Sequence, residues 1–373
     1  MDHLRVISSI SLLLIVFVSV SVCENQVQHR DDILIRQVVN GSESEPKVMS
    51  WEDHFAVFKR RYGKVYTSVE EHQRRFAIFR SNFMRATRHQ RMDPFAGHGV
   101  NQFSDLTHSE FRRKHLGVKG AYTFSQHDAD QAPILDTKNL PDDFDWRDRG
   151  AVTPVKNQGT CGSSWSFSTT GALEGAHFLA TGKLVSFSEQ QLVDCDHKCD
   201  QEVEVLCDSG CSGGLMNMAF EYTFETGGLM REEDYPYTGT TTDGDGICKF
   251  DKSKIVASAS NFSLVSSNED QIAANLVKYG PLPLAINSAY MQTYIGGVSC
   301  PYMCPRGLNH GVLLVGYYGS ARSRTSRFKE EPYWIIKNSW GETWGENGFF
   351  KLCKGRSNVC GFGSFVSTVS ASL

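Results

Sequence analysis

The distribution of cysteines limits the folds open to this chain more than any other feature. The sequence has 373 residues and eleven cysteines, ten of which lie after residue 160. The eleventh, Cys23, follows an apolar run, Val6–Val22, which is preceded by Arg5 and is typical of a secretory signal peptide cleaved after residue 23. Removal of that peptide leaves an even number of cysteines in an oxidising compartment, so we expect disulfides and no free thiol.

Two other interpretations of these features stay open. The apolar run could be a membrane anchor, although it is short for a span and no later stretch is apolar enough to cross a bilayer. Cys195, Cys199, Cys207 and Cys211 could bind zinc as four thiolates, although the secretory signal favours disulfides. We therefore expect no metal, no cofactor and no membrane span after removal of the signal. The net charge of −4 gives no indication of a nucleic-acid partner.

Residues 24–139 combine polar sequence with two helical patterns. Ser50 and Asp53 form a capping box ahead of a helix with aromatic residues on one face. A second helix is predicted over Val69–Gln90, where one stripe recurs at steps of four or three: Glu71, Arg75, Phe79, Asn82, Ala86 and Gln90. We expect Thr107–Asn139 to be loose, polar sequence.

After residue 140, helical patterns come first and strand patterns second. The predicted helices are Trp165–Ala180, closed by Gly182, a segment capped at Ser188–Gln191, and Leu215–Thr226. Runs typical of strands follow at Leu282–Ile286, Val312–Tyr317 and Tyr333–Lys337. Helices followed by strands favour an α+β fold.

The stretch Asn157–Ser168 has the features of a site for a nucleophile. Glycine-containing sequence runs into the predicted helix, so a side chain at the first helical residue lies at the positive end of the helix dipole, where an anion is stabilised. Gln158 is close enough in sequence to donate an amide N–H to the same point. The stretch therefore predicts a nucleophile with an oxyanion donor beside it.

This stretch resembles the Cys-Gly-Ser-Cys-Trp nucleophile motif of papain-like cysteine proteases, with Ser164 in place of the nucleophilic cysteine. The resemblance covers nearly the whole chain from Asp145 onward. It implies that His310 is the catalytic histidine, that Asn338 orients its ring and that Trp340 shields the pair from water. It also implies a papain-like fold of two subdomains, one helical and one an antiparallel β-barrel, with the cleft between them.

The second predicted helix resembles the interrupted Glu-Arg-Phe-Asn signature of papain-family propeptides, in the variant of plant-type cathepsin-F-like proteases. Gly99–Asp105 resembles the second propeptide motif. These resemblances imply a signal peptide at 1–23, an inhibitory propeptide at 24–139 and a peptidase domain at 140–373. The propeptide would lay its trailing segment through the cleft. We expect acidic pH to loosen it as carboxylates such as Asp105 are protonated.

The resemblance also implies how a substrate binds. Gly213 and Gly214 leave room for a substrate backbone to pair as an added strand. The substrate-binding residues implied beside them are mostly apolar: Leu215, Met216, Ala285, Leu308, Gly311, Phe365 and Trp340. We therefore expect peptide or protein substrates with an apolar residue two positions before the scissile bond. The propeptide itself and cystatin-like inhibitors are the other partners expected, in a vacuole, a lysosome or the extracellular space.

For the cysteines, the resemblance implies three disulfides: Cys161–Cys211, Cys195–Cys248 and Cys304–Cys360. The remaining four would pair locally, as Cys199–Cys207 and Cys300–Cys353, although sequence alone does not determine connectivity. Asn40 and Asn261 each begin an Asn-X-Ser sequon for N-glycosylation.

Ser164 leaves three interpretations of the function open. A hydroxyl is far less acidic than a thiol, so the same surroundings do not ionise it, and His310 would have to accept its proton during the attack. The chain could hydrolyse peptides slowly through Ser164, or it could be a catalytically silent relative that binds peptides or partners through the cleft. It could also be an ordinary cysteine protease in which the nucleophile has been replaced.

Overall fold

The computed structural model describes residues 49–119, 131–199, 207–239, 247–319 and 331–372. The predicted signal peptide and the sequon at Asn40 lie outside these residues. Asn261 is exposed on a strand of the peptidase domain. None of the helices within the described residues is long and apolar enough to cross a membrane.

Within residues 49–119, the propeptide region has three helices and a short strand: α1 (Trp51–Arg61), α2 (Val69–Met92), β1 (Ala96–His98) and α3 (His108–His115). The capping box predicted at Ser50 and Asp53 is present, and the helix predicted over Val69–Gln90 extends to Met92. The prediction of loose sequence from Thr107 was wrong at its start. There Thr107 and Glu110 form a second capping box, and α3 is so short and polar that its periodicity carries no signal.

The peptidase domain contains the other helices: α4 (Ser164–Thr181), α5 (Glu189–Cys195), α6 (Met216–Thr226) and α7 (Glu269–Tyr279). Gly182 ends α4 in the left-handed conformation, with φ of 71°, as its position in the sequence predicts. Ser188 accepts a hydrogen bond from the Gln191 N–H and so caps α5. The predicted helices therefore form within one or two residues of their expected ends.

The strands of the peptidase domain follow in chain order: β2 (Phe144–Asp145), β3 (Leu229–Met230), β4 (Ile255–Leu264), β5 (Leu282–Ile286), β6 (Tyr294–Ser299), β7 (His310–Tyr318), β8 (Tyr333–Lys337), β9 (Phe349–Cys353) and β10 (Ser367–Ser372). Seven strands form one sheet in the order β1-β6-β9-β8-β7-β2, in which β5 also pairs with β7. A smaller sheet has the order β10-β4-β3. Because β1 belongs to the propeptide and pairs with β6, the propeptide extends the main sheet at one edge.

Two large hydrophobic clusters form the core of the peptidase domain. One surrounds the main sheet and α7, and includes Trp334, Trp340 and Trp344, while the other packs α4 and α6 around Trp165. Five disulfides lie in this domain. Three are the pairs that the resemblance implied, Cys161–Cys211, Cys195–Cys248 and Cys304–Cys360, and the other two are the pairs expected for the remaining four cysteines, Cys199–Cys207 and Cys300–Cys353. The predicted α+β architecture is therefore confirmed.

Candidate active site

Ser164 is the first residue of α4 and is fully buried in this form of the protein. Its Oγ accepts a hydrogen bond from the Gly311 N–H at 3.1 Å, which brings the start of β7 against the start of α4. A Cβ at position 311 would lie 2.9 Å from the Ser164 carbonyl oxygen, so only glycine allows this approach. Gly311 therefore lies directly against the nucleophile position.

His310 begins β7, directly before Gly311, and its ring is held from two sides. Its Nε2 lies 2.8 Å from Asn338 Oδ1, and because that oxygen only accepts, we assign the proton to Nε2. The indole of Trp340 stacks on the imidazole with ring centroids 4.6 Å apart. Nδ1 is buried and has no hydrogen-bond partner among the described residues, so its lone pair is available as a base.

Burial lowers the pKa of His310 to about 4, against the opposing effect of its hydrogen bond to Asn338. The imidazole is therefore neutral at neutral pH. A neutral base with Nε2–H donated to Asn338 can accept a proton at Nδ1 from a neighbouring hydroxyl or thiol. The Asn338 carbonyl would then stabilise the imidazolium and keep the ring oriented.

Gln158 has its side-chain oxygen fixed and its amide nitrogen available to a carbonyl. Ser339 Oγ donates to Gln158 Oε1 at 2.6 Å, which leaves Nε2 to donate. Nε2 contacts the carbonyl of Cys161 at 2.7 Å and the carbonyl of His115, from the propeptide, at 3.2 Å. An amide N–H that already binds a peptide carbonyl beside the nucleophile position is suited to binding an oxyanion.

Most of the residues expected in the specificity pocket belong to two hydrophobic clusters. Four of them belong to one hydrophobic cluster: Met216, Ala285, Leu308 and Phe365. Leu215 forms a smaller cluster with Met218, and Val118 of the propeptide packs against both clusters. Trp340 packs against His310. Within the described residues, no group of three or more histidine, cysteine or acidic side chains could hold a metal ion.

A group of buried charges lies beneath the site and joins its two walls. Lys156 Nζ contacts carboxylate oxygens of Glu174 on α4, at 2.9 Å, and of Glu189 on α5, at 2.6 Å. Lys337, the residue before Asn338, donates to Thr153 Oγ1 at 2.9 Å, and burial lowers its pKa to about 8. These contacts link the strand that ends directly before Asn338 to the region of the helix that begins at Ser164.

Comparisons with known proteins agree with this architecture. Residues 140–370 match the family model "Papain family cysteine protease", and residues 55–111 match "Cathepsin propeptide inhibitor domain (I29)". The chain belongs to the papain family of cysteine proteases. It has the propeptide of a zymogen in that family.

Relatives in plants match over almost their whole length. The chain is 73% identical to "Probable cysteine protease RD19B" of Arabidopsis thaliana over 99% of this chain and 98% of that protein. It is 60% identical to "Cysteine proteinase 15A" of Pisum sativum over 96% of each. Among solved structures, digestive procathepsin L 3 of Tenebrio molitor larval midgut matches with a TM-score of 0.72 and 34% identity, over 86% of this chain and 99% of that one.

The segment that follows the matched propeptide residues 55–111 runs through the cleft of this papain-family zymogen. Gly117 crosses the start of α4 so closely that a Cβ there would lie 2.7 Å from the Ser164 nitrogen. Its carbonyl accepts from the Gly214 N–H at 2.9 Å, and Val118 forms a parallel bridge with Gly214. The glycine predicted to pair with a substrate backbone therefore pairs here with the propeptide. This occupation explains why Ser164 is buried.

The second propeptide motif docks beside the cleft. The Asn101 side chain donates to the carbonyls of Gln292, at 2.9 Å, and Tyr294, at 3.3 Å. Phe103 packs edge-on against Trp340, with ring centroids 5.1 Å apart. Asp105 faces inward to the propeptide, where it accepts from Lys64 at 3.0 Å and Tyr66 at 2.9 Å. The motif thus joins the propeptide's own fold to the peptidase domain.

Several residues of the site were not foreseen from the sequence. His115 supplies the carbonyl that Gln158 and Trp340 bind, and Ser339 fixes the Gln158 amide. Tyr237 donates from its hydroxyl to the Gln158 carbonyl at 2.9 Å and lies 2.8 Å from Ser163 Oγ. Such contacts join residues far apart in the chain, and a side chain that acts through the fold leaves no local pattern. Only Gly117 could have been noticed in the sequence, because it is a glycine between two apolar residues.

Proposed function

We propose that this chain is the zymogen of a papain-type endopeptidase whose cleft binds peptides with an apolar residue two positions before the scissile bond, and that Ser164 leaves its hydrolysis weak or absent. The observation that supports this proposal is the intact machinery around position 164. His310 Nε2 lies 2.8 Å from Asn338 Oδ1, and Nδ1 of the same imidazole has no hydrogen-bond partner within the described residues. The Gln158 amide already binds a peptide carbonyl.

In this proposal, catalysis would begin with a proton transfer from the Ser164 hydroxyl to His310 Nδ1. The hydroxyl would attack the scissile carbonyl, and Gln158 would donate to the oxyanion. In the zymogen, Ser164 Oγ instead accepts from the Gly311 N–H, and an oxygen is smaller than the sulfur that this family uses. Removal of the nucleophile from a comparable triad lowers turnover by about 10⁶-fold, and we expect the loss here to lie near that limit.

We propose that residues 1–23 are removed as a secretory signal and that residues 24–139 are removed as the inhibitory propeptide, which leaves the peptidase domain at 140–373. The expected destinations are a vacuole, a lysosome or the extracellular space. Cystatin-like inhibitors would compete for the surface that the segment His115–Val118 covers, since a free cleft offers the same acceptors and donors. Glycosylation is proposed at Asn40 and Asn261.

The test compares the processed protein with its Ser164→Cys variant on a fluorogenic peptide with leucine two positions before the cleaved bond. We expect kcat/KM at least about 10³-fold higher in Ser164→Cys, because a thiolate restores the nucleophile that His310 can stabilise. Ser163→Cys is the matched control. It adds a thiol one residue away, beside Tyr237, and should leave the protein inactive.

Activity only in Ser164→Cys would support the proposal and would make the natural protein a trapped form that binds peptides. Comparable activity in both proteins, insensitive to thiol alkylation in the parent and lost in Ser164→Ala, would make Ser164 a serine nucleophile in its own right. No activity in either protein would contradict the proposal, because the catalytic machinery would then lack more than its nucleophile.

A further inference from the structure

Lys119 of the propeptide is held in a small polar site beside the apolar pocket. Its Nζ donates to the Cys207 carbonyl at 2.9 Å and to Ser209 Oγ at 2.7 Å. Its stem lies flat on Gly213, where a Cβ would come within 3.1 Å of Lys119 Cγ. The site therefore provides two acceptors for an ammonium group and a glycine surface for the methylene chain that carries it.

The acceptors of this lysine site are fixed in place by the peptidase domain. The disulfide Cys199–Cys207 closes the chain on one side, and the Asp208 N–H donates to the Lys198 carbonyl at 2.7 Å. The Asp208 carboxylate accepts from the Leu215 N–H at 2.7 Å and so ties the lysine site to the wall of the apolar pocket. These contacts are made within the peptidase domain, so the acceptors keep their positions when the propeptide leaves.

The charged groups around the lysine site stabilise an ammonium group only in part. Burial lowers the pKa of Lys119, and the Asp208 carboxyl opposes that shift. Burial and the neighbouring Asp196 carboxyl raise the pKa of Asp208 well above its usual value, so Asp208 is not a permanent anion. Recognition therefore depends mainly on the carbonyl of Cys207 and the hydroxyl of Ser209, whose acceptor strength does not vary with pH.

Consecutive propeptide residues occupy the cleft in a fixed spatial order. Gly117 covers the start of α4 at Ser164, Val118 packs into the apolar pocket and Lys119 reaches the polar site beyond it. A substrate whose scissile carbonyl lies at Ser164 meets these places in the same order, whichever direction its chain runs. If its second residue before the bond fills the apolar pocket, its third residue before the bond lies at the lysine site.

We propose that Cys207, Ser209 and Gly213 form a subsite that selects a lysine three residues before the scissile bond, adjacent to the apolar residue. Lys119 occupies this subsite in the zymogen and thereby blocks it together with the apolar pocket. This inference rests on the proposed function, because it takes the position of the substrate from the assignment of Ser164 and the apolar pocket.

The test measures binding, so that it does not depend on hydrolysis. The processed protein with its natural Ser164 is titrated with the peptide amides Lys-Leu-Gly and norleucine-Leu-Gly, which differ only in the ammonium group. We expect Kd to be about tenfold lower for the lysine peptide, because a charge-assisted hydrogen bond in a partly buried site increases affinity by about that factor. In Ser209→Ala the ratio should fall to about twofold, while Kd for the norleucine peptide stays unchanged.

Ser212→Ala, on the same turn, is the matched control and should keep the tenfold ratio. Equal Kd values for the two peptides in the parent, or no binding of either peptide, would overturn the subsite. An equal weakening of both peptides by Ser209→Ala would also overturn it, because the serine would then support the cleft without reading the ammonium group. Tighter binding of the lysine peptide together with no hydrolysis by Ser164→Cys would instead contradict the proposed function and leave the subsite supported.

Discussion

The propeptide and the peptidase domain are stabilised in different ways. The propeptide has a small core of three buried phenylalanines, Phe55, Phe58 and Phe79, and relies on ion pairs such as Arg75 with Glu110 at 2.9 Å. The peptidase domain has two large hydrophobic clusters and five disulfides. Polar contacts vary with pH, whereas buried apolar surface and covalent links do not. We therefore expect the stability of the propeptide to depend more on pH than the stability of the peptidase domain does.

Glu110 shows how an ion pair of the propeptide responds to pH. Burial raises the pKa of Glu110, but hydrogen bonds from Arg75 and Thr107 outweigh it and bring the pKa down to about 2. A carboxylate with a lowered pKa stabilises the fold above its unfolded pKa and loses that contribution as the pH falls towards 2. Glu110 therefore still contributes to the internal fold of the propeptide at mildly acidic pH.

The largest effect is expected from the buried charges of the peptidase domain. Lys156→Met leaves the carboxylates of Glu174 and Glu189 buried without their cation, and we expect a loss of about 3–5 kcal/mol in the free energy of unfolding. Urea unfolding of the full chain measures it. Lys254→Met is the control, because its pair with Asp234 is exposed and should contribute less than about 1 kcal/mol. Equal losses in both variants would contradict the burial argument.

The docking surface should be the part that responds to acid. His89 of α2 lies against His98 and Tyr290, and its Nδ1 contacts Thr293 Oγ1 of the peptidase domain at 2.7 Å. Burial, reinforced by His98 and by Arg85 and Arg88 on α2, lowers its pKa to about 3, although Asp93 opposes this. His98 also contacts Thr293 Oγ1, at 2.9 Å, and pairs with Asp93 at 3.0 Å.

A histidine with a lowered pKa takes up its proton only when the propeptide leaves, so docking weakens as the pH falls from 6.5 towards 3. His89 alone should weaken docking by at most about 50-fold between pH 6.5 and 4.5, because an imidazole with a pKa of 6.5 is half protonated at the upper pH and almost fully protonated at the lower one. Hydrogen exchange over β6 in the full chain, corrected for the intrinsic rate, measures docking. In His89→Gln the protection should depend much less on pH, and a pH dependence unchanged from the parent would rule out His89 as the source.

A neutral contact of the same surface should have a smaller effect that does not vary with pH. Asn101→Ala removes the donors to the carbonyls of Gln292 and Tyr294, and we expect docking to weaken by about 1–3 kcal/mol. The same hydrogen-exchange measurement checks it, with the exposed Met84→Ala on α2 as the control. A change in the global stability of the peptidase domain would show that Asn101 supports more than docking.

The smallest effect compares two serine caps, one from each region. Ser50 caps α1 at the surface, so Ser50→Ala should cost about 1 kcal/mol or less and only fray the helix end. Ser188 caps α5 in the interior and also donates to the Tyr235 carbonyl at 2.6 Å. Ser188→Ala should therefore cost about 1–3 kcal/mol, because that carbonyl loses its donor. Thermal unfolding of the two variants side by side decides whether burial makes the difference.

The sequence predicted the elements well where a local signal marks them. The helix from Ser164, its end at Gly182 and the strand Leu282–Ile286 follow from capping residues, glycine and apolar runs. The helix His108–His115 was missed because its eight residues bury only two side chains and have no apolar stripe. Propensity and periodicity report on long, amphipathic elements, and a short polar helix depends on its cap and its partner.

The composition of the candidate site followed from family motifs, and its arrangement did not. Ser164, His310 and Asn338 were predicted from their flanking residues. The way in which β7 packs against α4 determines two further features, which the sequence does not indicate. These are the hydrogen bond from Gly311 to Ser164 and the lack of a partner for His310 Nδ1 among the described residues. The local sequence does not indicate a backbone contact between elements that are far apart in the chain.

The sequence by itself determined the family, the secondary structure of the main elements and the identity of the groups around position 164, because each depends on residues close together in the chain. Only the tertiary structure decided what those groups contact. It laid Gly117 across Ser164, Val118 into the apolar pocket and Lys119 onto Cys207 and Ser209. The physical reason is that packing and hydrogen bonding between segments some 50 to 90 residues apart are set by the fold of the whole chain.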